Sequence, residues 1–261
     1  MKRKMGCLRD KLDERDFLMR SYLPLVKLPV KLDHTAQMSP VRDQGDEGTC
    51  VGFASSVGMK EYQELKDYEK LVVLSPRYLY SECKKIDGMP ESEGTSIRMA
   101  MKVLFDKGVC RENFWPYVPK QINKAKSGAV ADAKKFKVKS FARILNLHEL
   151  RTSLAVNGPC VIGVQVYEGM MDAKNGVVPM PGKEEYSVGG HAICHVGYED
   201  GKKRIKFKNS WSEKWGDNGY GYLPYTYIEK FMMDAWSSVD IEDPNPLTLG
   251  EIMKYARTAK R

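Results

Sequence analysis

Hydrophobic periodicity changes at Asn157-Gly158-Pro159, and this change constrains the fold more than any other feature of the chain. Upstream, apolar residues recur at helical steps. From Thr49 onward, Val51, Ala54, Gly58, Tyr62 and Leu65 lie three or four residues apart, which predicts a helix with one buried face. Thr49 is placed to cap it, with Cys50 in the first turn. A second helix is expected over 96–107, where Ile97, Ala100, Met101, Leu104 and Phe105 form a stripe that stops at Gly108. A third starts near Leu147, with Asn146 and Glu149 spaced as a capping box. Downstream the pattern is that of strands: 160–166 is β-branched and apolar, 191–198 is a second candidate, and 204–208 alternates polar with apolar. Helices first and strands later make an α+β chain with a cleft between a helical part and a sheet-rich part.

Composition narrows the function classes. The 261 residues can bury a large core, and no apolar run reaches the length of a membrane span. The first 16 residues lack the apolar stretch of a secretory signal, so the chain reads as cytoplasmic. Six cysteines (7, 50, 83, 110, 160 and 194) are scattered without paired short spacing, which favours free thiols over a disulfide framework. The net charge of +8 arises from Lys and Arg interspersed with Asp and Glu, a solvated surface rather than a nucleic-acid tract. Even the richest stretch, 134–139, alternates lysine with apolar residues like a strand with one wet face.

Four residues stand out chemically: Cys50, Gln44, His191 and Asn209. Cys50 at a helix start would have its thiolate favoured by the helix dipole and by unpaired amides, whereas an isolated cysteine is more commonly a buried, inert one. Gln44, six residues upstream, can offer a side-chain amide donor that, with the Cys50 N–H, would form an oxyanion hole. His191 follows Gly189-Gly190, which leave room for a substrate backbone. His195 falls on the same strand face and is read as a core histidine. A metal reading of His191, Cys194 and His195 fails because neighbouring strand residues face opposite ways and no second ligand pair appears. Asn209, 18 residues beyond His191, can accept the imidazole proton and fix its tautomer, and Trp211 can cover that bond.

Taken together, these pieces resemble the papain and cathepsin family of cysteine peptidases. The motifs that carry the likeness are Gln44-Gly45-Asp46-Glu47-Gly48-Thr49-Cys50, Gly190-His191-Ala192 and Lys208-Asn209-Ser210-Trp211. The 141 residues between Cys50 and His191 fall within the roughly 130 to 150 of that family. The resemblance implies a two-lobe fold over 28–239, with a helical lobe near 38–130, an antiparallel barrel-like lobe near 131–239, and the active site between them. It further implies Cys50 as nucleophile, His191 as base and acid, Asn209 as orienter, and Gln44 in the oxyanion hole. The thiolate–imidazolium pair would exist near neutrality, with no metal or organic cofactor. Gly94, Thr95, Gly189, Gly190 and Trp211 would line the substrate site, an extended peptide would be the substrate, and neither nucleic acid nor membrane is an expected partner.

Two departures matter. Glu47 stands where secreted relatives carry a disulfide-bonded cysteine, and Val51 where they carry tryptophan. Residues 1–27 are read as an extension, too short for the long helical propeptide of the family but a candidate to cross the cleft. Residues 240–261 are read as a tail with a short helix through Leu249, Ile252, Met253 and Tyr255. Two rival functions keep the same residues: acyl transfer to an amine by a ligase or transglutaminase, and a catalytically silent binding module.

Overall fold

The computed structural model describes residues 3–120 and 124–240; the tail helix expected beyond Asp240 lies outside them. A two-stranded parallel ladder joins β1 (Cys7–Leu8) to β3 (Thr95–Ser96). The helical side holds α1 (Cys50–Phe53), α2 (Glu61–Tyr68), α3 (Pro76–Lys84), α4 (Ile97–Asp106) and the short α5 (Ala129–Ala133). The other side is an antiparallel sheet in the order β4-β9-β5-β6-β7-β8, with β4 Val138–Arg143, β5 Cys160–Tyr167, β6 Ser187–Glu199, β7 Arg204–Lys208, β8 Tyr220–Pro224 and β9 Met232–Asp240. β2 (Lys31–Asp33) extends the sheet along the last residues of β6, and α6 (Leu147–Asn157), α7 (Glu168–Met171) and α8 (Tyr225–Phe231) pack around it. This is the expected α+β, papain-like architecture.

Local chemistry explains the elements. Asn146 Oδ1 accepts the Glu149 N–H at 2.9 Å, and Glu149 returns bonds to Asn146 Nδ2 and the Leu145 N–H, so α6 begins where the capping box places it. Ser96 caps α4 in the same manner. α3 begins at Ser75-Pro76, with the Ser75 hydroxyl accepting the Tyr78 N–H and proline at the first helical position. Its stripe interleaves Arg77 and Glu82 with Tyr78, Leu79 and Cys83, which hid it from apolar periodicity.

The helix after Cys50 departs from expectation. Thr49 does not cap it; its φ of −102° and ψ of 12° are not those of a cap, and its hydroxyl meets Tyr117 Oη at 2.7 Å. Residues Ala54–Lys60 are wound as a π-helix between α1 and α2. A π turn inserts an extra residue and shifts the buried face. Lys60, Glu61 and Glu64 therefore turn inward, with the Lys60 ammonium 2.5 Å from Glu64. Gly58 lets this segment touch the sheet, because a Cβ there would lie 2.9 Å from Cys194 Sγ.

Apolar residues divide between two buried clusters. One joins the helices to the inward face of the sheet through Ala192, Cys194 and Val196; the other fills the sheet lobe around Ile193, Phe207 and Trp211. The alternation along β6 thus turns successive residues to opposite clusters, the period-two geometry of a strand.

Candidate active site

Cys50 lies at the start of α1 and His191 on β6, so the nucleophile candidate belongs to the helical side and the base candidate to the sheet. His191 Nε2 and Asn209 Oδ1 are 2.8 Å apart, and the same oxygen accepts the Ser210 N–H at 2.8 Å. Because Oδ1 can only accept, Nε2 carries the proton and Nδ1 is the basic nitrogen. Nδ1 is buried without a hydrogen-bond partner. Trp211 stacks on the imidazole at 4.5 Å between centroids, and both rings are fully buried.

Gln44 is fixed by a contact that the sequence did not single out. Ser210 Oγ donates to Gln44 Oε1 at 2.6 Å, and Gln44 N–H donates to the Ser210 carbonyl at 2.9 Å. The amide is thereby set with Nε2 toward the cleft, where it donates to the Glu47 carbonyl at 2.9 Å and to the Lys4 carbonyl at 3.2 Å. Ser210 was visible only as the middle of Asn209-Ser210-Trp211.

Residues 3–10 run through the cleft as a strap. Arg3 pairs with Asp43 and donates to the Trp211 carbonyl at 2.8 Å. The Thr95 N–H donates to the Gly6 carbonyl at 3.0 Å, and Cys7 and Leu8 continue the pairing with Thr95 and Ser96. A Cβ on Gly94 would lie 2.7 Å from the Gly6 carbonyl, one on Gly189 would lie 2.8 Å from the Met5 side chain, and one on Gly190 would collide with the Cys7 carbonyl. Gly6 is itself pressed against the Gly48 backbone, where no side chain fits. The residues expected to line a peptide site therefore all face the chain's own first residues.

Burial by the strap reverses the expected electrostatics. Cys50 and His191 are both fully buried. Burial pushes the Cys50 thiol up to about 11, despite N–H groups of Ala192, Gly6, Val51 and Cys50 itself aimed at the sulfur. Burial likewise lowers His191 to about 4, although the Asn209 bond works the other way. Separating charge in a buried cleft costs more than four amides return. A neutral thiol and neutral imidazole occupy this state, not the thiolate–imidazolium pair that the resemblance implied.

A second cysteine–histidine contact lies deeper: Cys160 Sγ is 3.7 Å from His195 Nδ1. His195 Nε2 donates to the Gly197 carbonyl at 3.0 Å, both side chains are fully buried, and burial lowers His195 to about 3. Among the described residues no side-chain carboxylate or amide bonds to this ring, and none of the strap contacts described above reaches it. It is packed as a core pair.

All six cysteines are free. Glu47 takes over the cross-linking that a disulfide gives elsewhere: its carboxylate receives Arg77 at 2.7 and 2.6 Å and the Lys120 N–H at 2.8 Å. Arg77 is buried and stacks 4.7 Å from the Tyr117 ring. Among the described residues no group of His, Cys, Asp and Glu is arranged to hold a metal, and no helix is long and apolar enough to cross a membrane.

A two-sided cleft with a helix-borne cysteine and a strand-borne histidine held by an asparagine just past β7 defines a class, and the comparisons agree with it. The chain belongs to the papain family of cysteine proteases, whose sequence profile matches residues 28–235, and it is a hydrolase by that membership. It is similar in structure to xylellain, a cysteine protease from Xylella fastidiosa, at 28% identity and a TM-score of 0.81, covering 93% of this chain and 99% of that one. An uncharacterized peptidase C1-like protein of Acanthamoeba polyphaga mimivirus is 32% identical over 77% of this chain and 70% of its own length. Mouse cathepsin K is 30% identical over 76% of this chain, which spans 60% of the cathepsin's length.

Proposed function

We propose that the chain hydrolyses peptide bonds with Cys50 as nucleophile and that the structure represents its latent state. The observation that carries this reading is the Lys4 carbonyl: a peptide carbonyl sits on Gln44 Nε2, the donor placed to receive an oxyanion. Once a substrate replaces the strap, water and the substrate's polar groups re-enter, and proton transfer from Cys50 Sγ to His191 Nδ1 becomes accessible. The thiolate attacks the carbonyl carbon. The oxyanion is held by Gln44 Nε2 and the Cys50 N–H. The C–N bond then breaks as His191 gives its proton to the leaving amine. Water adds to the thioester with His191 taking its proton, and cleavage of the C–S bond returns the thiol.

Asn209 and Trp211 serve by holding the tautomer, Gly94, Thr95, Gly189 and Gly190 by admitting an extended backbone, and the substrate is a peptide or unfolded protein segment. The Glu47–Arg77 pair fits a reducing, cytoplasmic compartment, since it does without a disulfide. Hydrolysis of fluorogenic peptides by the full chain, lost in Cys50→Ala with the melting temperature kept, is the expected result. Retained turnover in that variant overturns the assignment. Transfer to added amines in preference to water would assign the chain to acyl transfer instead.

A further inference from the structure

Beyond the cleft the strap continues through a group of charges that hydrolysis does not require. Its three aspartates, Asp10, Asp13 and Asp16, are spaced three apart and face two arginines of the body. Arg98, at the start of α4, gives its Nε to Asp16 at 2.7 Å, its Nη2 to Asp13 at 2.8 Å and its backbone N–H to Asp10 at 3.2 Å. Arg143, at the end of β4, reaches Asp16 at 3.1 Å while stacking 4.4 Å from the Trp236 ring. Trp236 Nε1 adds a bond to Asp10 at 2.9 Å.

Among the described residues the body supplies one carboxylate to this group, Asp234, and it is bound to Arg143 at 2.6 Å. Among the described residues both of the Arg98 ion pairs are to the strap. Asp16 and Asp234 are each only 4% exposed, so the arginines are aimed into a built site rather than trailing in solvent. With the strap removed, Arg98 and Arg143 against Asp234 leave one net positive charge, beside donors fixed by a helix start and an indole.

Resting on the reading of the strap as the cover of the active site, the geometry points to this Arg98–Arg143 face as a docking surface for acidic peptide segments. In the latent chain it is filled by Asp10–Asp16. In the open enzyme, carboxylates of a substrate or regulator occupy it, and by competing for it they draw the strap out of the cleft. Planar guanidinium groups match carboxylates two bonds at a time, which favours an acidic peptide over an apolar one.

The test uses the full chain and two synthetic peptides with a Gly, Ser and Ala background, one carrying aspartate at the same three-residue spacing, the other asparagine. Excess aspartate peptide should speed alkylation of Cys50 by an epoxide peptide inhibitor several-fold, and asparagine peptide should not. In a chain bearing Asp13→Asn and Asp16→Asn, alkylation should be at least tenfold faster than in the parent. Fluorescein-labelled aspartate peptide should bind that chain at least tenfold more tightly than its asparagine counterpart, a preference that added Arg98→Ala removes and salt weakens. Equal binding of the two peptides, or a preference that survives Arg98→Ala, overturns the docking surface, as does an oligonucleotide that displaces the peptide equally well. Alkylation unchanged by the aspartate-to-asparagine pair would instead overturn the strap as cover, while the peptide comparison still decides the docking surface.

Discussion

At the scale of single residues, two oxygens organise the site. Asn209 Oδ1 sets the histidine tautomer, and Ser210 Oγ sets the Gln44 amide, so neighbouring residues on one turn control the proposed base and the proposed oxyanion donor together. Ser210→Ala should leave peptide binding little changed and lower kcat by about tenfold to a hundredfold, since a loosened oxyanion donor acts only in the transition state. A rise in KM with kcat intact would contradict that role. The buried pair has a pH signature as well. With the Cys50 thiol near 11, only about one site in ten thousand is thiolate at pH 7. The alkylation rate of the covered chain should climb roughly tenfold per pH unit through the neutral range, because each unit deprotonates tenfold more thiol. A chain opened by Gly6→Ala should show a plateau across neutrality instead, since the solvated cleft supports the ion pair and the thiolate fraction no longer changes. Identical profiles for the two chains would refute the effect of burial.

At the scale of elements, legibility in the sequence followed how directly each residue reports its own surroundings. α6, β5 and β7 were readable because caps, β-branched runs and alternation are local, and the His191–Asn209 contact was readable because motif order survives folding. The π winding was not, since the apolar steps through Val51, Ala54, Gly58 and Tyr62 suit an α-helix, and only contact with the sheet at Cys194 distinguishes the two. β8 and β9 were missed because a glycine interrupts the one and the other carries Asp234 and two serines inward, where Arg143 of β4, Asn157 of α6 and Gln63 of α2 satisfy them. Glu47 was noticed as a departure, but its partner Arg77 is 30 residues away and on another element. That pair ties the Cys50 approach loop to α3. Glu47→Ala, by leaving Arg77 buried and unpaired, should cost about 3 kcal/mol in chemical unfolding. A loss below about 1 kcal/mol would show that the loop relaxes around the arginine.

At the scale of the whole molecule, a strap joins the two sides of the cleft, and in the proposed latent state it keeps them idle. Nothing in the composition of residues 3–16 announces this, because the strap contributes few apolar residues and docks by main-chain pairing at Thr95, glycine-to-glycine approach at Gly48 and Gly94, and charge at Arg98 and Arg143. The most direct test of the account combines intact mass with mapping of the modified residue after treatment with an epoxide peptide inhibitor. It compares the full chain with Gly6→Ala, in which a methyl group has no room against Gly48. A strap that covers an activatable Cys50 predicts slow single labelling of the parent at Cys50, labelling at least tenfold faster in Gly6→Ala, and none in His191→Ala. Fast labelling of the parent, or labelling that maps to Cys160 rather than Cys50, would contradict it.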